Sequence, residues 1–303
     1  PQMKKNLWSF STRGSQDADS SVCDSNSYFH SEEEENETFS VTAFSMAPST
    51  CMRPCETVII LDWDDTLFCT SWLSSMPALS SWMDDPFSGE QGVPELSLAV
   101  QEELDHLDQA ARSLVVSAAA LGHVGCVTLA RSPWQQETMK LFLPRTAQVW
   151  EDLRIPVYYA SQESVSEASS RPLRFFLHDP QEAAALVAVK RSAQKKLAMT
   201  RFIKERCGDS WKNIVSIGDG AAELDAMIDL SFEHVNPNSQ VTGMPKQLLM
   251  KTVSMLKAPD CAELTRELQL LQALLPGTVH SLLEESIVVP TSDEEIVSIL
   301  RDS

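Results

Sequence analysis

An apolar strand that runs straight into a knot of carboxylates constrains this chain more than any other feature. Val58-Ile59-Ile60-Leu61 is uninterrupted and rich in β-branched residues, as strands buried on both faces are. Asp62, Asp64 and Asp65 follow within four positions. Carboxylates this close repel one another and resist burial unless a cation neutralises them. The plain alternative is an acidic turn after a strand, and a second segment of the same kind weighs against it. Val215-Ser216-Ile217-Gly218-Asp219-Gly220 again places a carboxylate just past an apolar strand, with Glu223 one helical turn further on. Ligands of open α/β sheets bind at the carboxyl ends of the strands. Two such ends would gather Asp62, Asp64 and Asp219 around one hard ion, and Mg²⁺, which prefers oxygen ligands, is the simplest candidate.

Strands and helices alternate around these two segments. His123–Leu129 and Pro156–Ala160 read as further buried strands, between Thr57–Leu61 and Asn213–Ile217. Pro94–Leu121 carries Leu96, Val100, Leu104, Leu107, Ala111 and Leu114 near a helical period, and Gly122 supplies a stop. Gln135–Phe142 and Ala183–Arg206 are also helical in pattern, and Ser161–Pro180 reads as an irregular insertion. The class is therefore α/β, a Rossmann-like parallel sheet with helices on both faces. We expect this domain over residues 56–244, preceded by a tail over 1–55 and followed by a helical extension over 245–303. The tail is rich in Ser, Asp, Glu and Asn, including the run Glu32–Glu35, and is too polar to offset its ordering entropy. In the extension, Lys246–Leu256 and Asp260–Leu275 are read as helices punctuated by Pro259 and Pro276-Gly277. Ala262, Leu264, Leu268, Leu271 and Leu275 form a stripe suited to docking on the core. Thr291-Ser292-Asp293-Glu294-Glu295 reads as a helix start.

Charge and cysteine usage narrow the partners. With 24 Lys and Arg against 43 Asp and Glu, the chain has a formal net charge of −19. It repels phosphate backbones and anionic lipid, so neither nucleic acid nor a membrane surface is an expected partner. A protein partner through the acidic tail or the C-terminal helices remains open. The seven cysteines show no C-x₂-C spacing, which fits reduced thiols in a cytoplasmic protein. No stretch approaches the length of an apolar membrane span.

The motifs together resemble the haloacid dehalogenase-like superfamily, in its aspartate-nucleophile phosphatase branch. Asp62-x-Asp64-x-Thr66 resembles the first motif, and Thr128, closing the strand Gly125-Cys126-Val127-Thr128, the second. The third is a single lysine at a helix start. Lys190, Lys195 and Lys196 all qualify, and spacing to the fourth motif favours Lys195. Gly218-Asp219 with Glu223 resembles that fourth motif. The similarity spans about Thr57 to Asp229 and implies a Mg²⁺-dependent phosphatase. Asp62 is the implied nucleophile, Asp64 the acid and base, and Thr128 and Lys195 hold the phosphoryl group. The implied metal donors are the Asp62 carboxylate, the Asp64 backbone carbonyl and Asp219, with Glu223 direct or through water. The substrate would be a phosphorylated small molecule or phosphoprotein.

The intervals between the motifs leave no room for a full cap domain, so a minimal cap or none is expected. Trp63 reads as filler of a core pocket, and Arg131 and Trp134 as residues of the site rim. His123, His178 and His234 read as structural. Two other functions remain open on these residues, a phosphate-binding scaffold on the same fold and a phosphotransferase.

Overall fold

In the computed structural model of the chain, residues 53–84, 95–164, 180–208, 211–233 and 248–289 are described. The expectations for the tail, for most of Ser161–Pro180, for His178 and His234 and for a helix start at Thr291 fall outside them.

Six strands form one parallel sheet in the order β3-β2-β1-β4-β5-β6: β1 Thr57–Leu61, β2 His123–Thr128, β3 Val157–Tyr159, β4 Asn213–Gly218, β5 Leu249–Ser254 and β6 Glu285–Val288. The chain builds outward from β1 on one side, through β2 to β3, then returns to the other side for β4, β5 and β6. That reversal lies between β1 and β4, where open α/β sheets form their ligand crevice. Register sets the crevice: Leu61 pairs with Ile217, and Asp62 N–H donates to the Ile217 carbonyl at 3.0 Å. The first residues beyond the two strands, Asp62 and Asp219, are thereby brought to the same edge.

β1 is buried throughout, and its side chains alternate between two cores. Ile59 and Leu61 belong to one, with α3 (Leu98–Leu121), α4 (Trp134–Phe142), α5 (Pro144–Asp152) and α8 (Cys261–His280). Val58 and Ile60 belong to the other, with α6 (Pro180–Cys207) and α7 (Ala221–Glu233). Two short helices after β1, α1 (Thr70–Ser74) and α2 (Pro77–Asp84), fold onto the first core through Leu73, Leu79 and Trp82. The sheet is thus covered on both faces, as its unbroken apolar strands require.

Helix ends follow local chemistry. Ser97 caps α3, and Gly122 ends it in an extended conformation. A Cβ at Gly122 would lie 2.7 Å from the Thr57 carbonyl, so glycine is needed there for close approach to β1. Asp260 and Glu263 form a reciprocal capping box on α8. Of the expected stripe on α8, Leu264, Leu268, Leu271 and Leu275 are buried and Ala262 is exposed.

Three expectations for the C-terminal part are corrected. The described part of Lys246–Leu256 is not a helix, because its core is strand β5, and β6 adds a further strand. Both pair into the sheet that holds β1, so the chain after residue 245 is not a purely helical extension. Pro276 does not end the last helix, which continues to His280. Leu275, Thr278 and Val279 are buried across that turn, and their packing outweighs the backbone hydrogen bond that a proline forfeits. Among the described residues no helix is long and apolar enough to cross a membrane, and the five described cysteines are free thiols.

Candidate active site

The chain leaves β1 through a tight turn that fixes Asp62 and Asp64. The backbone N–H groups of Thr66, Leu67 and Phe68 all donate to the Trp63 carbonyl, at 3.0–3.3 Å, and Asp65 N–H donates to Phe68 O at 2.7 Å. Asp65 takes φ of 52°, a left-handed conformation that aspartate tolerates better than most residues. Its carboxylate accepts from the backbone N–H and hydroxyl of Ser71, fastening the turn to α1. Beneath it, Trp63 is fully buried, stacks on Phe68 at 5.6 Å and meets Trp150 edge-on at 6.5 Å. The core reading of Trp63 therefore holds, with one addition: its indole N–H donates to Thr138 Oγ1 at 3.1 Å.

Lys195 occupies the centre of the cluster. Its side chain is fully buried, and Nζ lies 2.8 Å from Asp62 Oδ1, 2.5 Å from Glu223 Oε1 and 2.7 Å from the Val127 carbonyl. The ammonium donates a hydrogen bond to the Val127 carbonyl and stands within ion-pair distance of both carboxylates. One side chain from α6 so ties the ends of β1 and β2 to the start of α7. Lys190 is exposed and Lys196 half-buried. Of the three candidate lysines, Lys195 is the one joined to Asp62. The two glycines leave room for Glu223: a Cβ at Gly218 would come within 2.7 Å of Glu223 Cγ, and one at Gly220 within 2.5 Å of Glu223 Oε2, so a side chain at either position would displace Glu223.

Thr128 is buried at the end of β2, and its Oγ1 accepts from Ala130 N–H at 3.0 Å. Asp64 is half-buried and accepts twice on Oδ1, from Thr70 Oγ1 at 2.5 Å and Trp134 Nε1 at 2.8 Å. Arg131 is exposed, and Trp134 reaches Asp64 from the rim where it was expected. Two residues with no signal in the sequence also belong to this neighbourhood. Thr70 is one, and Glu267 of α8 is the other: it accepts from Leu256 N–H at 2.9 Å while its buried Oε2 has no hydrogen-bond partner. Nothing in the linear pattern marks Glu267, because its helical stripe reads as ordinary docking surface.

The electrostatics are those of a site short of positive charge. Burial pushes the Asp62 carboxyl well above the usual range, outweighing Lys195, and Glu223 adds to the rise. Asp64 is raised by burial despite its two donors. Asp219 is pushed up to about 6 by burial and by its neighbours Glu223 and Asp65. Glu223 alone is lowered, because the Lys195 charge and hydrogen bond outweigh its burial. Four carboxyl groups thus compete for one ammonium.

The donor set fits Mg²⁺ on that ground. Among the described residues, no three His, Cys, Asp or Glu side chains converge tightly enough to enclose an ion. Mg²⁺ does not ask for such a cage, since it keeps several waters and takes one or two carboxylates plus substrate oxygens. Asp62 and Asp219 are the pair at the crevice whose carboxyls are raised, by burial first and by neighbouring carboxylates second. Glu223, expected at the metal directly or through water, spends Oε1 on Lys195 while its buried Oε2 has no hydrogen-bond partner.

Two open clefts, of about 360 and 520 Å³, lie by Ala262 and Thr265 of α8 and by Arg145. Their carboxylates, Glu103 in one and Glu102 and Asp105 in the other, are not the buried ones of the strand ends, so the buried charge cluster rather than concavity locates the site. Comparisons with family models, curated proteins and solved structures find no match to this chain.

Proposed function

We propose that the chain is a Mg²⁺-dependent phosphatase that hydrolyses a phosphomonoester through an aspartyl-phosphate on Asp62, as its resemblance to haloacid dehalogenase-like phosphatases implies. One observation carries the reading: a fully buried lysine joins Asp62, Glu223 and the end of β2 at the reversal point of the sheet. A structural lysine has no need of two carboxylates beside a third that burial has already pushed up. The arrangement is suited to a dianionic group that completes the charge balance.

Asp62 attacks phosphorus, forming a carboxylate–phosphorus bond as the bond to the leaving oxygen breaks. Asp64 gives its proton to that oxygen, then takes one from the water that splits the acyl phosphate. Lys195 offsets the negative charge between nucleophile and phosphoryl oxygens, and Thr128 Oγ1 offers a hydrogen bond to them. Asp62 and Asp219 would hold Mg²⁺, with the Asp64 backbone carbonyl, and the bound ion would supply the positive charge that lets Asp62 ionise and the phosphate approach it. The substrate class stays at phosphomonoesters, a small molecule or a phosphoprotein.

The test is turnover of p-nitrophenyl phosphate by the full chain. Hydrolysis that requires added Mg²⁺ and disappears in Asp62→Asn is expected. Hydrolysis that persists in that variant, or no hydrolysis with any divalent ion, contradicts the proposal.

A further inference from the structure

Asp64 is fixed by two donors that reach it from different helices. Thr70 opens α1 and Trp134 opens α4, and both donate to the same oxygen, Oδ1. No hydrogen bond from a described residue reaches Oδ2. The preceding residue is tied to the same turn of α4: Trp63 donates to Thr138 Oγ1, which in turn donates to the Trp134 carbonyl at 2.7 Å. Behind these bonds, Phe68 stacks on Phe142 of α4 at 5.4 Å. The first two turns of α4, just beyond Thr128, therefore clamp both residues that follow Asp62. An unsupported aspartate at a strand end samples several rotamers, and a proton-transfer group must be held within hydrogen-bond reach of its target.

We propose that Trp134 and Thr70 are positioning residues for Asp64: they anchor Oδ1 and leave Oδ2 as the oxygen that gives and takes the proton. The inference rests on the phosphatase reading above and adds to it the residues that set the geometry of proton transfer. Holding a general acid in place matters most when the leaving group is poor, because an activated leaving group departs without a proton. A merely structural role would lower turnover of all substrates alike.

Phenyl phosphate and dinitrophenyl phosphate therefore form the test, with Trp134→Phe and the near-isosteric Thr70→Val compared with the wild-type full chain. In each variant, kcat should fall at least ~10-fold further on phenyl phosphate than on dinitrophenyl phosphate, part of the ~10²–10⁴ that a placed general acid contributes. KM should stay near the wild-type value for both. Equal losses on the two substrates, or a loss confined to KM, would overturn the inference while leaving the phosphatase reading intact. A wild-type chain inactive on both substrates would overturn the two together. Folding of the variants is checked by far- and near-UV circular dichroism, and the contact by the indole N–H resonance of Trp134, identified by its absence in Trp134→Phe. It should shift in Asp64→Ala and in Thr70→Val, and a resonance unmoved in Asp64→Ala would overturn the contact itself.

Discussion

Replacing Lys195 with methionine removes one charge from the centre of the site while keeping an unbranched side chain of similar length. The packing change is small, because volume-conserving exchanges are tolerated best. What remains is electrostatic. Asp62 and Glu223, only 8% and 6% exposed, lose their counter-charge, and the Val127 carbonyl loses its donor. Breaking a buried pair from one side costs about 3–5 kcal/mol, a large share of the roughly 5–15 kcal/mol that holds a domain folded. The sign with pH follows from the carboxyls. In the wild type Glu223 is lowered, so its contribution is present above its unfolded value and is lost as pH falls through the folded one. Without Lys195 burial acts unopposed and both carboxyls rise. Each then contributes stability that is full below the unfolded value and lost as pH rises through the folded one. The deficit of Lys195→Met should therefore be smaller near pH 5 than at pH 8. Urea titrations followed by tryptophan fluorescence, in the presence of a chelator at both pH values, measure it. A loss under about 1 kcal/mol at both, or the same loss at both, would refute the placement of Lys195 between two buried carboxylates.

Two further substitutions test the charge placement elsewhere. Asp108, fully buried in α3, accepts from the Arg145 and Thr146 backbone N–H groups and the Thr146 hydroxyl at the start of α5, so Asp108→Ala should lower stability by about 2–4 kcal/mol in urea titration. Glu267 is pushed up to about 7 by burial, with the nearby charges of Glu263 and Asp219 adding to the rise; its stabilising contribution is full below the unfolded value near 4.5 and is lost as pH rises to 7. Glu267→Gln keeps an acceptor for Leu256 N–H, so it should flatten that slope and leave the protein more stable at pH 8 by on the order of 1–3 kcal/mol; an unchanged slope would count against it.

The strand ends were legible because their chemistry is local. Asp62, Asp64, Asp219 and Glu223 stand next to apolar runs, and the parallel register then delivers them to one edge. Of the three lysines, spacing favoured the one that the fold places at Asp62. The failure at β5 has a single cause. Leu249, Lys251 and Val253 alternate inward, but a lysine at the middle position hides the period of two. Lys251 is buried because its ammonium donates to the Val279 and Ser281 carbonyls at the end of α8, a partner that only tertiary structure supplies. The grip on Asp64 was invisible for the same reason: Trp134 lies seventy residues from it in sequence, and nothing in a Thr or Trp announces its acceptor. Asp108, an acidic residue on a helix otherwise read for its apolar stripe, belongs with them.

Mass spectrometry of Asp64→Asn after rapid acid quench reaches the chemistry of Asp62 most directly. With an activated aryl phosphate and Mg²⁺, phosphorylation should proceed, since the leaving group hardly needs a proton. Hydrolysis should stall without a carboxylate to activate water, a handicap of roughly 10²–10⁴-fold. The trapped phosphate should reside on Asp62, and it should be absent when Asp62→Asn is added to the same chain. A phosphate found on a serine, threonine or histidine, or an Asp62→Asn chain that still turns over, would contradict a nucleophilic role for Asp62.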